Sequence, residues 1–210
     1  MAREETAEGG FRIEICGGIA SGKTTLASVL QDCAMRAMFE DFSSNPFYEK
    51  FYLDPEKYAF ETEMVFLLQH YSLIRDQVEL GELFCADFSI LQDEAYANVN
   101  LGGERLRTFN EVVAQVRREI GGPDILVKLV CSPREEKRRM ERRSRSVEVG
   151  VPVSYLSEIN SKIDEEVKRV SGSVKVVTID SERENFASDP HVRRRIGREI
   201  RDMVVEGGRE

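Results

Sequence analysis

Residues 17–24 read Gly-Gly-Ile-Ala-Ser-Gly-Lys-Thr, the spacing G-x-x-x-x-G-K-[ST] of a phosphate-binding loop. Gly17, Gly18 and Gly22 let the chain curl, so that the backbone from Gly17 through Ile19, Ala20 and Ser21 to Thr24 and Thr25 can turn its N–H groups toward phosphate oxygens. A helix beginning at this point adds the positive end of its dipole. Lys23 reaches the β- and γ-phosphates and the Thr24 hydroxyl offers a ligand to Mg²⁺. The ligand expected here is a nucleoside triphosphate with its Mg²⁺. The loop by itself leaves open whether the γ-phosphoryl group passes to water, a protein or a metabolite.

Two carboxylates and a basic run supply the other groups with chemical potential. Glu40 and Asp87 each end a short apolar run, and residues 134–145 hold seven Lys or Arg against three Glu. A carboxylate at the carboxyl end of a parallel strand faces the crevice in which open α/β sheets bind ligands. Asp87 either shares the Mg²⁺ with Thr24 or caps the helix after it. The basic run is either a solvated helix face or a clamp on a triphosphate.

The elements that must hold these groups alternate. Apolar runs predict strands over Phe11–Cys16, Arg36–Glu40, Leu83–Asp87, Ile125–Cys131 and Val174–Ile179. Helical spacing predicts helices over Thr24–Cys33, Glu56–Glu79, Glu104–Ile120, from Pro133 onward, over Val153–Val170 and within Pro190–Val205. Residues 60, 64, 67, 71, 74 and 78 mark the inward face of the second helix. The segment Ser43–Phe47 reads as a turn, and no element is assigned to residues 88–103. Such alternation gives a doubly wound α/β fold around a five-stranded parallel sheet. The first ten residues and the terminal GGRE are expected to fray, leaving one domain over residues 11–205.

Length and composition set limits. The 210 residues carry a net charge of −8 with 41% hydrophobic residues, enough for one core. No apolar stretch approaches the length needed to span a bilayer, and the acidic start lacks the apolar core of a signal peptide. A cytoplasmic location is expected, with no membrane partner. Cys16, Cys33, Cys85 and Cys131 are widely spaced and, with two histidines in the chain, make no zinc site. Overall acidity argues against a nucleic-acid partner.

A longer string of residues is more specific. Glu40-Asp41-Phe42, Asn45-Pro46-Phe47, Phe51-Tyr52-x-Asp54-Pro55, Phe60, Phe66-Leu67, Pro123-Asp124-Ile125-Leu126 and Arg139-Met140-Glu141-Arg142-Arg143-Ser144-Arg145 with Glu148 together resemble the deoxynucleoside kinase family over roughly residues 11 to 180. The resemblance implies a P-loop kinase fold with an Arg-rich lid at about 134–148, and transfer of the γ-phosphoryl of Mg·ATP to a deoxynucleoside 5′-hydroxyl. It gives Glu40 the role of general base and places Lys23, Arg139, Arg143 and Arg145 on the triphosphate. Tyr52 and Glu148 would share the sugar 3′-hydroxyl, and Glu63, Phe88 and Asp93 would lie around the base. Phe47, Phe51 and Phe60 either sandwich the base or fill the core. The family's usual state implies a homodimer.

Three positions depart from the family pattern. Its base-reading glutamine is Glu63, an arginine seven residues on is His70, and its D-R-S motif is Asp87-Phe88-Ser89. An ionised carboxylate only accepts hydrogen bonds, which suits the N1–H and N2–H₂ donors of guanine; a protonated Glu63 would reverse that preference. Purines, with deoxyguanosine foremost, are therefore the expected substrates. His70 and His191 are read as ordinary helix or surface residues, since nothing at helical spacing pairs with them. The departures keep two alternatives open: a kinase-like nucleotide-binding module with little turnover, and a nucleoside monophosphate kinase.

Overall fold

The computed structural model describes residues 10–143 and 145–207. The frayed ends expected over residues 1–10 and in the terminal GGRE fall almost wholly outside that range, as does Ser144 of the expected lid.

Five strands, β1 (Arg12–Cys16), β2 (Arg36–Met38), β3 (Phe84–Ala86), β4 (Ile125–Val130) and β5 (Lys175–Asp180), pair in the order β2-β3-β1-β4-β5. Every pairing is parallel, as the predicted alternation requires. The helices are α1 (Lys23–Asp32), α2 (Tyr48–Leu53), α3 (Pro55–Leu80), α4 (Ile90–Asn100), α5 (Gly103–Ile120), α6 (Pro133–Arg143), α7 (Val153–Val170) and α8 (Pro190–Gly207). Two of them, α2 and α4, were not anticipated from spacing.

The strand alternation divides the core into two layers. Ile13, Ile15, Val127 and Leu129 point to one face, where Leu26 and Leu30 of α1 and Ile196 and Ile200 of α8 cover them. Cys16 and Leu126 point to the other, against Leu91 of α4 and Ile159 and Ile163 of α7. Phe84 and Ala86 share that second side with Leu67 and Ile74 of α3 and Phe109 and Val113 of α5. Arg12 and Glu14 sit on the same side as a buried ion pair at 3.2 Å. Arg12 also donates to the carbonyls of Ile120 and Gly121, satisfying the negative end of α5.

The chain leaves β1 toward β2 and leaves β3 toward β4, on the far side of β1. A crevice therefore opens at the carboxyl ends of β1 and β3, the place where such sheets bind ligands. Residues 17–22 leave β1 there and Asp87 leaves β3.

Helix α3 is turned slightly from its apolar stripe. Ala59, Thr62, Glu63, Leu67, His70, Ile74 and Gln77 are buried, whereas Phe60, Met64, Tyr71 and Val78 are only partly covered. The buried face includes a polar heptad, Glu63, His70 and Gln77, which a count of hydrophobic residues passes over. Asp54 starts the helix by accepting from the Lys57 amide at 3.3 Å, with Pro55 in the first turn.

Candidate active site

The phosphate loop takes the form its glycines predict. Gly22, at the N-cap of α1, has φ 109°, a left-handed value that disfavours any side chain. Gly18 is constrained by space: a Cβ there would lie 2.0 Å from Glu136 Oε1 and 2.2 Å from Asn160 Oδ1. Lys23 Nζ donates to the carbonyls of Gly17 at 2.9 Å and Gly18 at 3.1 Å, so the ammonium is folded onto its own loop. Desolvation lowers the Lys23 pKa, opposed by the carboxylates of Glu40, Asp87 and Glu136. Gln92 on α4 accepts from the Gly17 amide at 3.1 Å and ties the loop to the neighbouring layer.

The loop forms one wall of a cavity of about 740 Å³, which Glu40, Tyr52, Glu63, Asp87 and Asp93 also border. Glu40 lies just beyond β2, and its amide donates to Asp87 Oδ1 at 2.7 Å. Burial raises the Asp87 pKa, while the Thr24 hydroxyl, the Glu40 amide and Lys23 hold it down. The capping alternative for Asp87 does not hold, because Ser89 caps α4 by accepting from the Leu91 amide at 3.2 Å.

At the far end of the cavity α3 and α4 face each other through polar groups. His70 Nδ1 stands 2.9 Å and 3.0 Å from the two Asp93 carboxylate oxygens, and its Nε2 lies 3.3 Å from Glu40 Oε1. The second contact is at ion-pair distance but off the line of a good hydrogen bond. This overturns the reading of His70 as an ordinary residue: its partners come from other elements, which helical spacing cannot reveal. Burial alone would lower the His70 pKa, but Asp93 and Glu40 drive it up to about 10. Asp93 is raised by burial and drawn back by His70.

Two further expectations need correction at this end. Glu63 is enclosed, and burial pushes its carboxyl up to about 8 against a 2.7 Å hydrogen bond from Asn100 Nδ2. It is therefore mainly neutral near pH 7, and the donor count that assumed an ionised group does not apply there. Phe88 is fully buried. Its ring stacks on His70 at 4.1 Å and 8°, so it backs that ring without bordering the cavity. Of the three aromatic candidates Phe51 borders the cavity, together with Phe42 and Phe66, which were not singled out. Phe60 packs in the core, and Phe47 stacks on Tyr58. The Asn45-Pro46-Phe47 turn is fixed to α3 by Asn45 Nδ2, which donates to the Thr62 carbonyl at 3.1 Å.

The arginines expected to form a lid are engaged within the protein. Arg139 donates to the carbonyls of Ser21 at 3.1 Å and Ser181 at 2.7 Å, which anchors α6 against the phosphate loop. Arg143 makes a forked pair with Glu148 at 2.6 to 3.0 Å, and Arg145 reaches the same carboxylate at 3.5 Å. Tyr48, from the unanticipated α2, donates to Glu148 Oε1 at 2.8 Å; Tyr52 packs edge-on against Tyr48. Burial and Glu148 push the Tyr48 hydroxyl up to about 12. Glu148 thus joins α2 to Arg143 and Arg145.

Comparison with known proteins follows the same lines. Residues 13–205 match the family model described as deoxynucleoside kinase. The chain is 25% identical over 201 residues to the deoxyguanosine kinase of Bacillus subtilis (strain 168), covering 92% of this chain and 97% of that protein. It is 26% identical over 176 residues to the deoxyadenosine kinase of Dictyostelium discoideum, covering 81% and 72% respectively. The solved structure of deoxyadenosine kinase from M. mycoides with products dCMP and a flexible dCDP bound has a TM-score of 0.79 at 21% identity, over 91% of this chain and 100% of that one. That likeness bears on the fold.

Proposed function

The chain belongs to the deoxynucleoside kinase family of phosphotransferases, and from that premise we propose that it passes the γ-phosphoryl group of ATP to the 5′-hydroxyl of a purine deoxynucleoside. The observation that carries this reading is that Lys23 with its loop and Glu40 border one and the same cavity. Glu40 takes the proton of the 5′-hydroxyl as that oxygen attacks, and the ammonium of Lys23 leaves its loop carbonyls to meet the transferring charge. Arg139, Arg143 and Arg145 are the further cations near the phosphates, Arg143 and Arg145 by exchanging Glu148 for the triphosphate.

Among the described residues no cluster of three or more His, Cys, Asp or Glu could enclose a metal by itself. A pair such as Thr24 and Asp87 fits Mg²⁺, which keeps several waters and takes its remaining ligands from substrate phosphates. When bound it would neutralise charge on the β- and γ-oxygens.

The acceptor end supports a nucleoside over a nucleotide. Glu40, Glu63, Asp93 and Glu148 border it, a poor setting for a second phosphate. Tyr52 and Glu148 remain the proposed readers of the 3′-hydroxyl, with Tyr48 as the group that holds Glu148. Glu63, neutral near pH 7, and the His70-paired Asp93 lie where the base edge would go. A protonated carboxyl offers one donor and one acceptor, as an amide does, so both deoxyadenosine and deoxyguanosine fit near pH 7. The relatives named as deoxyguanosine and deoxyadenosine kinases support that choice. Leu68, Leu73 and Leu80 are exposed along α3, and we place the homodimer contact there. No described helix is long and apolar enough to cross a membrane.

The test is transfer of label from γ-labelled ATP to a panel of deoxynucleosides, ribonucleosides and nucleoside monophosphates. Purine deoxynucleosides should be labelled fastest. Labelling of monophosphates alone would replace this reading with a monophosphate kinase, and ATP binding without any acceptor would replace it with a binding module.

A further inference from the structure

The ring of His70 has no neutral form that suits its surroundings. Nδ1 faces both oxygens of Asp93 and Nε2 faces Glu40 Oε1. A neutral imidazole has one N–H and one lone pair, so either tautomer would aim a lone pair at a carboxylate oxygen; the imidazolium donates to Asp93 from Nδ1 and sets its charge at ion-pair distance from Glu40 through Nε2. The faces agree with the edges. The Phe88 ring lies parallel at 4.1 Å and the Phe66 ring is 5.9 Å away at 24°, and an aromatic face attracts a cation through its quadrupole.

Two of the three departures noted in the sequence, His70 and Phe88, are therefore one arrangement. Phe88 stands where the resembled pattern has an arginine, and His70 stands where it has another. We propose that His70 is a positioning residue that stays protonated through the catalytic cycle, holding Glu40 and Asp93 in place from behind the acceptor wall while Phe88 supports its ring. This rests on the assignment of Glu40 as the group that accepts the 5′-hydroxyl proton.

The charge environment is consistent from every packed element. Glu40 follows β2, Asp93 lies on α4, and Glu63 lies two turns back on α3 itself; Asp87 and Lys23 are near Glu40 on its other side. The carboxylates of Glu40 and Asp93 face His70 from opposite edges, and its positive charge offsets their mutual repulsion. In the reaction the 5′-oxygen bonds to the γ-phosphorus, the bond to the bridging oxygen breaks with its electron pair leaving on ADP, and the hydroxyl proton goes to Glu40. His70 keeps its own proton. The carboxylates outweigh burial in setting its pKa at about 10, so the device holds through neutral pH and fails as strongly alkaline pH removes the proton.

Nitrogen NMR of ¹⁵N-histidine-labelled wild-type protein reads the charge without requiring activity. Both His70 nitrogens should show imidazolium shifts at about pH 8, well above the ordinary histidine range; a neutral tautomer at that pH overturns the proposal. Kinetics then test the positioning role. His70→Gln should lose kcat by about 10- to 100-fold with KM for ATP unchanged. His70→Arg should recover most of the rate and remove the alkaline limb, because a guanidinium does not titrate there. A His70→Gln protein with the wild-type kcat and pH profile overturns the role, and if that variant does not fold the NMR result decides. Should wild-type protein phosphorylate no deoxynucleoside, the assignment of function fails while the charge on His70 is still read.

Discussion

Replacing Glu63 by glutamine should make the protein more resistant to alkaline destabilisation. Burial lifts the Glu63 carboxyl from an ordinary 4.5 to about 8. Between those values the folded protein binds a proton that the unfolded chain has released, so wild-type stability falls as pH rises through that window and falls no further above it. Each pH unit of the window costs about 1.4 kcal/mol, giving a ceiling of about 5 kcal/mol. Glutamine can keep the Asn100 hydrogen bond, 2.7 Å in the wild type, through its carbonyl and carries no charge to desolvate. For a chain of this size 1 kcal/mol moves Tm by about 2–4 °C. The gap in Tm between Glu63→Gln and wild type should thus widen by on the order of 10 °C between pH 5 and pH 8.5, measured by circular dichroism in matched buffers. His70 also loses stabilisation at high pH, but both proteins share that loss and it cancels in the difference. A gap that stays constant with pH would refute the reasoning. With Glu63 as the proposed base reader, the wild-type ratio of deoxyguanosine to deoxyadenosine phosphorylation should rise with pH and that of the variant should stay flat.

Lys23→Ala should reduce kcat by at least about 10²-fold while leaving Tm nearly unchanged, because its hydrogen bonds to described residues go to the carbonyls of its own loop; steady-state kinetics and thermal unfolding check both halves. Tyr48→Phe removes the hydroxyl that donates to Glu148, and the loss of about 1–1.5 kcal/mol predicts a KM for the deoxynucleoside raised roughly 5- to 10-fold with KM for ATP unmoved.

Local spacing made the phosphate loop and the carboxylates at the strand ends legible, because residues 17–24, Glu40 and Asp87 do their work within one turn of the backbone that presents them. The five strands were visible for the same reason. Helix α4 was not, since its inward residues include Gln92, Asp93 and Glu94 and a helix lining a polar cavity has no apolar stripe. Glu63 and His70 were hidden in the same way on α3, although a polar repeat of seven at residues 63, 70 and 77, alongside buried Leu67 and Ile74, is a signal that could have exposed them. The charge state of Glu63 depends on burial, and the pairing of Tyr48 with Glu148 spans a hundred residues; neither is encoded in spacing.

The central claim is that a carboxylate at residue 40 accepts the proton of a sugar hydroxyl held against the phosphate loop. Single-turnover transfer from γ-labelled ATP to purine deoxynucleosides, comparing wild type with Glu40→Gln, measures it most directly. The account predicts a transfer rate lower by about 10²- to 10⁴-fold in the variant, with ATP binding preserved. Transfer by Glu40→Gln at the wild-type rate would contradict it.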